Sequence, residues 1–500
     1  MGVIARQSIK GAVANYLGVA IGFVNTFVVL TRCLTSAEVG FTRVLVDAAV
    51  LFSSLAQLGS NASIVRFFPY FKDNDKNHGI FGWSLLLPAV GFSLFALLFL
   101  LFREPLSALY ADKSPLMADY LYVLPMITFF ALYMTVFETN ASVLLRITVP
   151  KMVREVGIRL FNLVAYLLYG AGWVSFDVFV WLFCGSYGLA MVLNLVYLLS
   201  LGRISFRIDR RFMTRRKLGE IMRYTLFMTA TVLAGNIPLL NSLFLGAKVG
   251  AAMTGVYAIA MYIANVVEVP YRSLGAISQP VISAAVKEDD WREVNRLSRQ
   301  VSLHQLLVSS LIFFLIWINL DVLFHYLPNG DQYVGGKGVV FILGLAKIAN
   351  SSLSIGTNVL NFSRHYSWSL LFIGVLTAAA LLLNDKLIGL WDINGAAAAT
   401  LLSYVAYFGL LLAFLKWRLG VSLFSWAQLK VLAIVAALFA LDVLWRGWVT
   451  PLFGGAVLLE AVVKTAVLGA LAAVAVYGWR VSDTVNRMAD NALRKVGLHR

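Results

Sequence analysis

Arg203-Ile-Ser-Phe-Arg-Ile-Asp-Arg-Arg-Phe-Met-Thr-Arg-Arg-Lys217 sets seven basic residues against a single acid, Asp209, between long stretches dominated by Leu, Val, Ala, Phe and Gly. Alone, such a run reads as a nucleic-acid patch or a localisation signal. Its flanks decide otherwise. The chain of 500 residues is 60% hydrophobic and only 13% charged, with a mean hydropathy of +0.81. Soluble proteins carry charge on about a quarter of their residues. A water-soluble globule of this composition has too little polar surface to cover its apolar side chains, so lipid must be its solvent. The basic run is then a loop between two membrane-embedded halves. The net charge of +16 belongs in cytoplasmic loops and against anionic lipid. No soluble domain is left to present a basic face, and no nucleic-acid partner is expected.

Working outward, a membrane-spanning helix needs about 20 mostly apolar residues. The chain offers about fourteen such runs, at 10–31, 41–65, 79–102, 119–144, 155–175, 177–201, 218–246, 253–284, 298–320, 337–361, 366–384, 393–416, 428–446 and 452–479. The segment Met1 to Lys10 leads into a long apolar run without a small-residue cleavage site, and reads as the approach to a first span rather than a signal peptide. With the amino end inside, basic residues collect on one face: Arg6 and Lys10, Arg146 to Arg159, the run 203–217, Lys287 to Arg299, and Arg480 to Arg500. That asymmetry predicts both termini in the cytoplasm and an even number of spans. The expected organisation is an amino-terminal lobe of six spans (1–202), a basic linker (203–217), a second lobe of six spans (218–418), and a terminal helix pair with a basic tail (419–500). Lobes with an even number of spans run the same way, so any symmetry between them is a two-fold about the membrane normal. Gly40 and Gly255 open corresponding helices in the two halves.

Cofactor chemistry finds little footing. Cys33 and Cys184 make neither a disulfide framework nor a metal quartet. The five histidines never fall at i, i+3 or i+4 spacing, so no metal or cofactor is expected. The informative residues are polar groups at membrane depth, which are costly there and mark cavities or partners. Lys347 lies mid-span, followed by Asn350 and several serines; it either lines a cavity for an anionic substrate or is paired within the bundle. Glu268-Val-Pro-Tyr-Arg272 places an acid and a base at i, i+4 around Pro270, a helix break. The two readings there are a gate or ion-coupling point and a self-neutralising pair. Asn236-Ile-Pro238 with Asn241 forms another break. Asp47 is a lone acid for a proton or sodium ion, or a partner of Arg43. Glu138 is a further coupling candidate, and Arg66 and Arg223 are cavity or interfacial cations. Glu460 and Lys464, at favourable i, i+4 spacing, read as a structural pair, and Gly18 with Gly22 as helix packing.

Several stretches carry a resemblance: Arg6-Gln-Ser-Ile-Lys-Gly with Asn15-Tyr-Leu-Gly, Val39-Gly-Phe-Thr-Arg-Val-Leu-Val-Asp47 with Ala56-Gln-Leu-Gly, Gly255-Val-Tyr-Ala-Ile-Ala, and Glu268-Val-Pro-Tyr-Arg-Ser-Leu. Trp317-Ile-Asn-Leu-Asp, Leu327-Pro-Asn-Gly and Ile393-Asn-Gly-Ala-Ala-Ala-Ala-Thr400 complete the set. By these the chain resembles the bacterial polysaccharide-export flippases, the Wzx type within the multidrug/oligosaccharidyl-lipid/polysaccharide (MOP) exporter superfamily. The resemblance implies an all-α polytopic fold of two six-helix lobes and a terminal pair, in the bacterial inner membrane. It also implies alternating access that carries an isoprenoid-diphosphate-linked oligosaccharide outward, coupled to H+ or Na+. Membrane lipids and other polysaccharide assembly proteins are the implied partners. The related lipid II flippases hold the diphosphate with cavity arginines. Here the first span has no basic residue until Arg32, which leaves the phosphate-binding cation open between Lys347, Arg272, Arg66 and Arg223. Rival readings are a multidrug cation antiporter of the same architecture, a polymerase or ligase of lipid-linked glycans, and a membrane scaffold. The enzyme reading suffers from the lack of a large outer loop, so a transporter is expected rather than an enzyme.

Overall fold

Helices are what a chain must form where no water is present to satisfy its backbone, and helices are what it forms. The computed structural model describes residues 17–18, 20–71, 77–202, 219–225, 228, 237–482, 485–487 and 490, and among these no strand occurs. The first half contains α1 (Ala20–Cys33), α2 (Ser36–Ala56), α3 (Ser60–Phe71) and α4 (Ile80–Ala111). After these come α5 (Leu124–Val143), α6 (Ile158–Gly170), α7 (Phe176–Ser200) and α8 (Ile237–Lys248). The second half contains α9 (Ala251–Asn265), α10 (Val269–Lys287), α11 (Trp291–Ile318) and α12 (Lys337–Phe362). The last three are α13 (Trp368–Phe414), α14 (Trp426–Trp448) and α15 (Val457–Gly478). The basic linker 203–217 lies outside the described residues.

Ten of the described helical stretches are long and apolar enough to cross a membrane. The expected spans at 10–31, 155–175 and 218–246 fall on helices that are short or only partly described. Those at 366–384 and 393–416 join as α13, whose non-helical residues Trp391 and Asp392 kink the chain. Close approach there needs Gly395, since a Cβ on it would lie 1.9 Å from the Leu387 carbonyl oxygen. The second expected span starts earlier than hydropathy suggests. A reciprocal cap fixes its start: Glu38 N donates to Thr35 Oγ1 at 3.3 Å and Thr35 N to Glu38 Oε2 at 2.8 Å. It then breaks at Gln57–Gly59, where Leu58 and Gly59 take positive φ. On α14, exposed Trp426 and Trp448 are the first and last of 23 residues. At 1.5 Å per residue that helix spans about 33 Å, the thickness of a hydrocarbon core with tryptophans at both interfaces. On α4, Leu94, Leu97, Leu100 and Leu101 are exposed. Such surfaces face lipid, and the chain is a multi-pass integral membrane protein.

The chain packs as two compact units. The first comprises Met1–Ala258 with Leu327–Asn329, a return segment in which Asn329 Nδ2 donates to the Thr31 carbonyl at 2.8 Å. In it α2 is the central helix, packed by α4, α5 and α8, while α7 covers α5 and α6. The second comprises Ile259–Tyr326 and Gly330–Arg500. There α12 is central, against α10, α11 and α13, and α14 and α15 lie on α11. The division falls within α9 rather than at the basic linker, because α8 and the start of α9 are locked onto α2. Gly40 and Gly255, which the sequence puts at corresponding positions, meet in that crossing. A Cβ on Gly40 would sit 1.8 Å from the Ala251 carbonyl oxygen, and one on Gly255 2.0 Å from that of Ser36. No side chain fits between backbones so close. Gly40→Ala is therefore expected to lower stability by about 1–3 kcal/mol or more, the usual penalty of overpacking. Thermal unfolding in detergent reads it, and an unchanged melting temperature contradicts the crossing.

Candidate functional site

The second unit holds a charged cluster at membrane depth. Its first element is a break: between α9 and α10 the chain tightens into a single 3-10 turn, Val266–Glu268. Pro270 stands in the first turn of α10, where its missing N–H leaves no helical bond unmade. The expected break is thus a turn that presents Glu268 sideways from the helical ladder. The second element is α12, with Lys347 ten residues past its start, about 15 Å along the axis. Lys347 and Asn350 share one face of α12 at i, i+3, and both reach Glu268. Lys347 Nζ lies 3.1 Å from Glu268 Oε2, and Asn350 Nδ2 donates to Glu268 Oε1 at 2.8 Å. Both carboxylate oxygens are therefore engaged, one by a charge and one by a neutral donor.

Accessibility separates this pair from a second one. The Lys347 and Glu268 side chains keep 13% and 11% of their surface exposed. Lys464 and Asp442, on α15 and α14, pair with only 6% and 2% exposed. Asp442 also accepts from Arg446 Nε at 2.9 Å, and Arg446 reaches Asp321 at 3.3 Å, which pairs in turn with Lys337. Asn319 Nδ2 to Thr465 Oγ1 at 2.8 Å and Gln428 Nε2 to Ser302 Oγ at 2.9 Å add neutral links from α11 and its C-cap to the terminal pair. The Asp442–Lys464 pair at its centre is sealed, while Arg446, Asp321 and Lys337 keep 40%, 49% and 41% of their side-chain surface exposed, and the network holds α14 and α15 to the unit. The expected Glu460–Lys464 pair does not form, because Lys464 turns to Asp442 and Glu460 accepts from Thr450. A charge buried in the bundle takes the partner that best offsets its desolvation, wherever that partner lies in sequence.

The first unit ties up most of the remaining candidates. Asp47, only 2% exposed, accepts from Arg43 Nε at 2.7 Å and from the Ser242 hydroxyl. Of its two readings the structure shows the paired one, and the pair bolts α2 to α8. Asn241 Nδ2 donates to the Tyr257 hydroxyl at 2.8 Å, an internal brace of the same crossing. Glu138 meets Arg154 at 3.1 Å. Arg159 donates to the Gly18 carbonyl and packs on Gly22, so the two glycines make room for a guanidinium. Arg66 stands over the Tyr224 ring at 4.2 Å, and Arg223 is exposed on the same segment. Pro238 lies in the first turn of α8. Asn236 and the side chains of Arg272 and Pro238 lie outside the described residues. Asn350 and Asp442 are functional or structural partners missed in the sequence as site residues. The i, i+3 spacing of Asn350 from Lys347 was a usable signal, whereas the Asp442–Lys464 contact had none.

Comparison with known proteins bears on this arrangement. Residues 4–286 match the model of a family described as polysaccharide biosynthesis protein. Curated protein sequences gave no match. Among solved structures, the lipid II flippase MurJ in an inward closed conformation superposes with a TM-score of 0.68 at 10% identity, over 93% of this chain and 98% of that one. An inward-facing multidrug resistance MATE family transporter of the MOP superfamily gives 0.59 at 17% identity, over 84% and 98%. A MOP superfamily transporter from Pyrococcus furiosus gives 0.55 at 14% identity, over 84% and 95%. At such identities the likeness is one of fold.

Proposed function

This chain belongs to the polysaccharide biosynthesis protein family, and from that premise we propose that it is a flippase for an isoprenoid-diphosphate-linked oligosaccharide. The repeat unit of a surface polysaccharide would pass from the cytoplasmic to the outer leaflet of a bacterial inner membrane. Both termini lie in the cytoplasm in this reading, as the basic segments favour. The observation that carries it is the Lys347–Glu268–Asn350 cluster. A diphosphate-linked sugar has an anionic, hydrated head that cannot cross hydrocarbon unaided. A partly accessible lysine whose counter-ion is a carboxylate suits such a head: the phosphate exchanges for Glu268 at Lys347, and Asn350 offers a neutral donor beside it. At 4 Å and an effective dielectric near 20, such a charge pair is worth about 4 kcal/mol, enough to matter and small enough to exchange. Displaced Glu268 is then balanced by a coupling cation, H+ or Na+, which ties transport to an ion gradient.

A multidrug cation antiporter would present an acid free to meet a cationic drug, and here the acid at depth already holds Lys347. The basic linker 203–217 anchors the chain to anionic lipid in this proposal. Deleting the chain in its own host tests the function. Lipid-linked repeat units are expected to accumulate on the inner leaflet while surface polysaccharide is lost. Undiminished surface polysaccharide without accumulation contradicts the proposal.

A further inference from the structure

One cavity plays no part in the cluster above. It measures ≈ 180 Å³ and lies within the first unit, between α3, the start of α4 and the segment 219–225. Its wall is almost wholly carbon, with Ile64, Phe67, Phe71 and Ile80 on the inner side and Leu86 and Val90 toward the edge. Two lining residues, Ser63 and Thr225, spend their hydroxyls on each other at 2.5 Å and so pin the 219–225 segment to α3. What remains is an oily slot. Its lips are Leu86, Val90 and Met222, exposed at 45%, 62% and 40%. The first two belong to α4, the helix whose exposed leucines face lipid, so the slot opens sideways into the bilayer.

A cationic group stands beside it. Phe67, part of the wall, meets Tyr224 edge-on with centroids 5.7 Å apart. The Arg66 guanidinium lies over both rings, 4.2 Å from Tyr224 and 5.7 Å from Phe67. Arg66 is exposed and has no carboxylate partner among the described residues. Arg223 is exposed one residue before Tyr224. Stacking holds the guanidinium beside the slot while leaving its N–H groups for an anion.

We propose that this slot takes part of one acyl chain of an anionic glycerophospholipid, the rest of the chain lying in the bilayer and the phosphate sitting on Arg66. The occupant is a resident lipid and not cargo. Hydrocarbon suits a wall whose open surface is almost wholly carbon, the unpartnered Ser60 hydroxyl and Trp83 Nε1 lying buried behind it. Bulk phospholipid also outnumbers any biosynthetic intermediate, so by mass action it fills a site open to the bilayer. A lipid wedged between α3, α4 and 219–225 would stiffen the inner packing of that unit, and its binding is read without any transport measurement.

Native mass spectrometry of the full chain, released from nanodiscs of phosphatidylglycerol, phosphatidylcholine and a polyprenyl phosphate in equal amounts, tests it. One phosphatidylglycerol adduct per chain is expected. Val90→Trp, which closes a lip that already faces lipid, should remove the adduct; Leu86→Trp does the same from the other lip if the first variant unfolds. Arg66→Gln should keep an adduct but lower the preference for phosphatidylglycerol about fivefold, the contribution of one arginine near a membrane surface. Equal retention of both phospholipids by the wild type, an adduct undisturbed by both tryptophan variants, or a polyprenyl phosphate in place of phosphatidylglycerol would each overturn the proposal.

Discussion

Lys347→Ala is expected to abolish translocation of the lipid-linked saccharide. In the proposed function the lysine is the group that exchanges Glu268 for the substrate's phosphate, and nothing else described in the cluster is cationic. Losing a charge-assisted contact of about 3 kcal/mol lowers transport more than a hundredfold. The single variant carries a second effect, because Glu268 is then buried without a counter-charge, at about 3–5 kcal/mol. The double variant Lys347→Met with Glu268→Gln separates the two. It removes both charges at similar volume, so folding and membrane levels should return while transport stays absent. A double variant that transports would show the pair to be structural.

Lys464→Ala is expected to produce the largest loss of stability. It strands Asp442, which is sealed at 1% exposure, and breaking such a buried pair costs about 3–5 kcal/mol. Arg446 softens the loss because it keeps one carboxylate oxygen engaged at 2.9 Å. The melting temperature in detergent should fall by several degrees, and membrane levels with it. Transport per folded molecule should stay near the wild type, since the Asp442–Lys464 pair is sealed between α14 and α15, apart from the Lys347 cluster. Normal melting with lost transport would move this pair from scaffold to site.

These two pairs show what was legible beforehand. Composition and hydropathy marked each of the ten described helices that are long and apolar enough to cross a membrane, because a helix in lipid has no alternative for its backbone. Lys347, Glu268 and Pro270 stood out individually as expensive at depth, and the chain indeed breaks beside Pro270. Their union was not legible. Glu268 and Lys347 lie 79 positions apart, while the nearest base in sequence, Arg272, offered an i, i+4 partner. The same local rule misassigned Lys464, whose real partner sits on the preceding helix. It succeeded at Arg43 and Asp47, where the tertiary fold supplied no better base. The Gly40–Gly255 crossing was visible as two similar helix openings but not as a contact. Sequence periodicity names the helix that carries a residue; only packing decides which helix lies opposite.

The most direct measurement of the central claim uses purified protein in proteoliposomes loaded with the host's own lipid-linked repeat unit. A membrane-impermeant glycosidase added outside reads how much saccharide has reached the outer leaflet. The account predicts that wild-type protein exposes the inner-leaflet pool, and that Lys347→Met with Glu268→Gln, folded and incorporated equally, leaves it protected as in protein-free vesicles. Protection of that pool by the wild type, or its equal exposure by the double variant, would contradict the account.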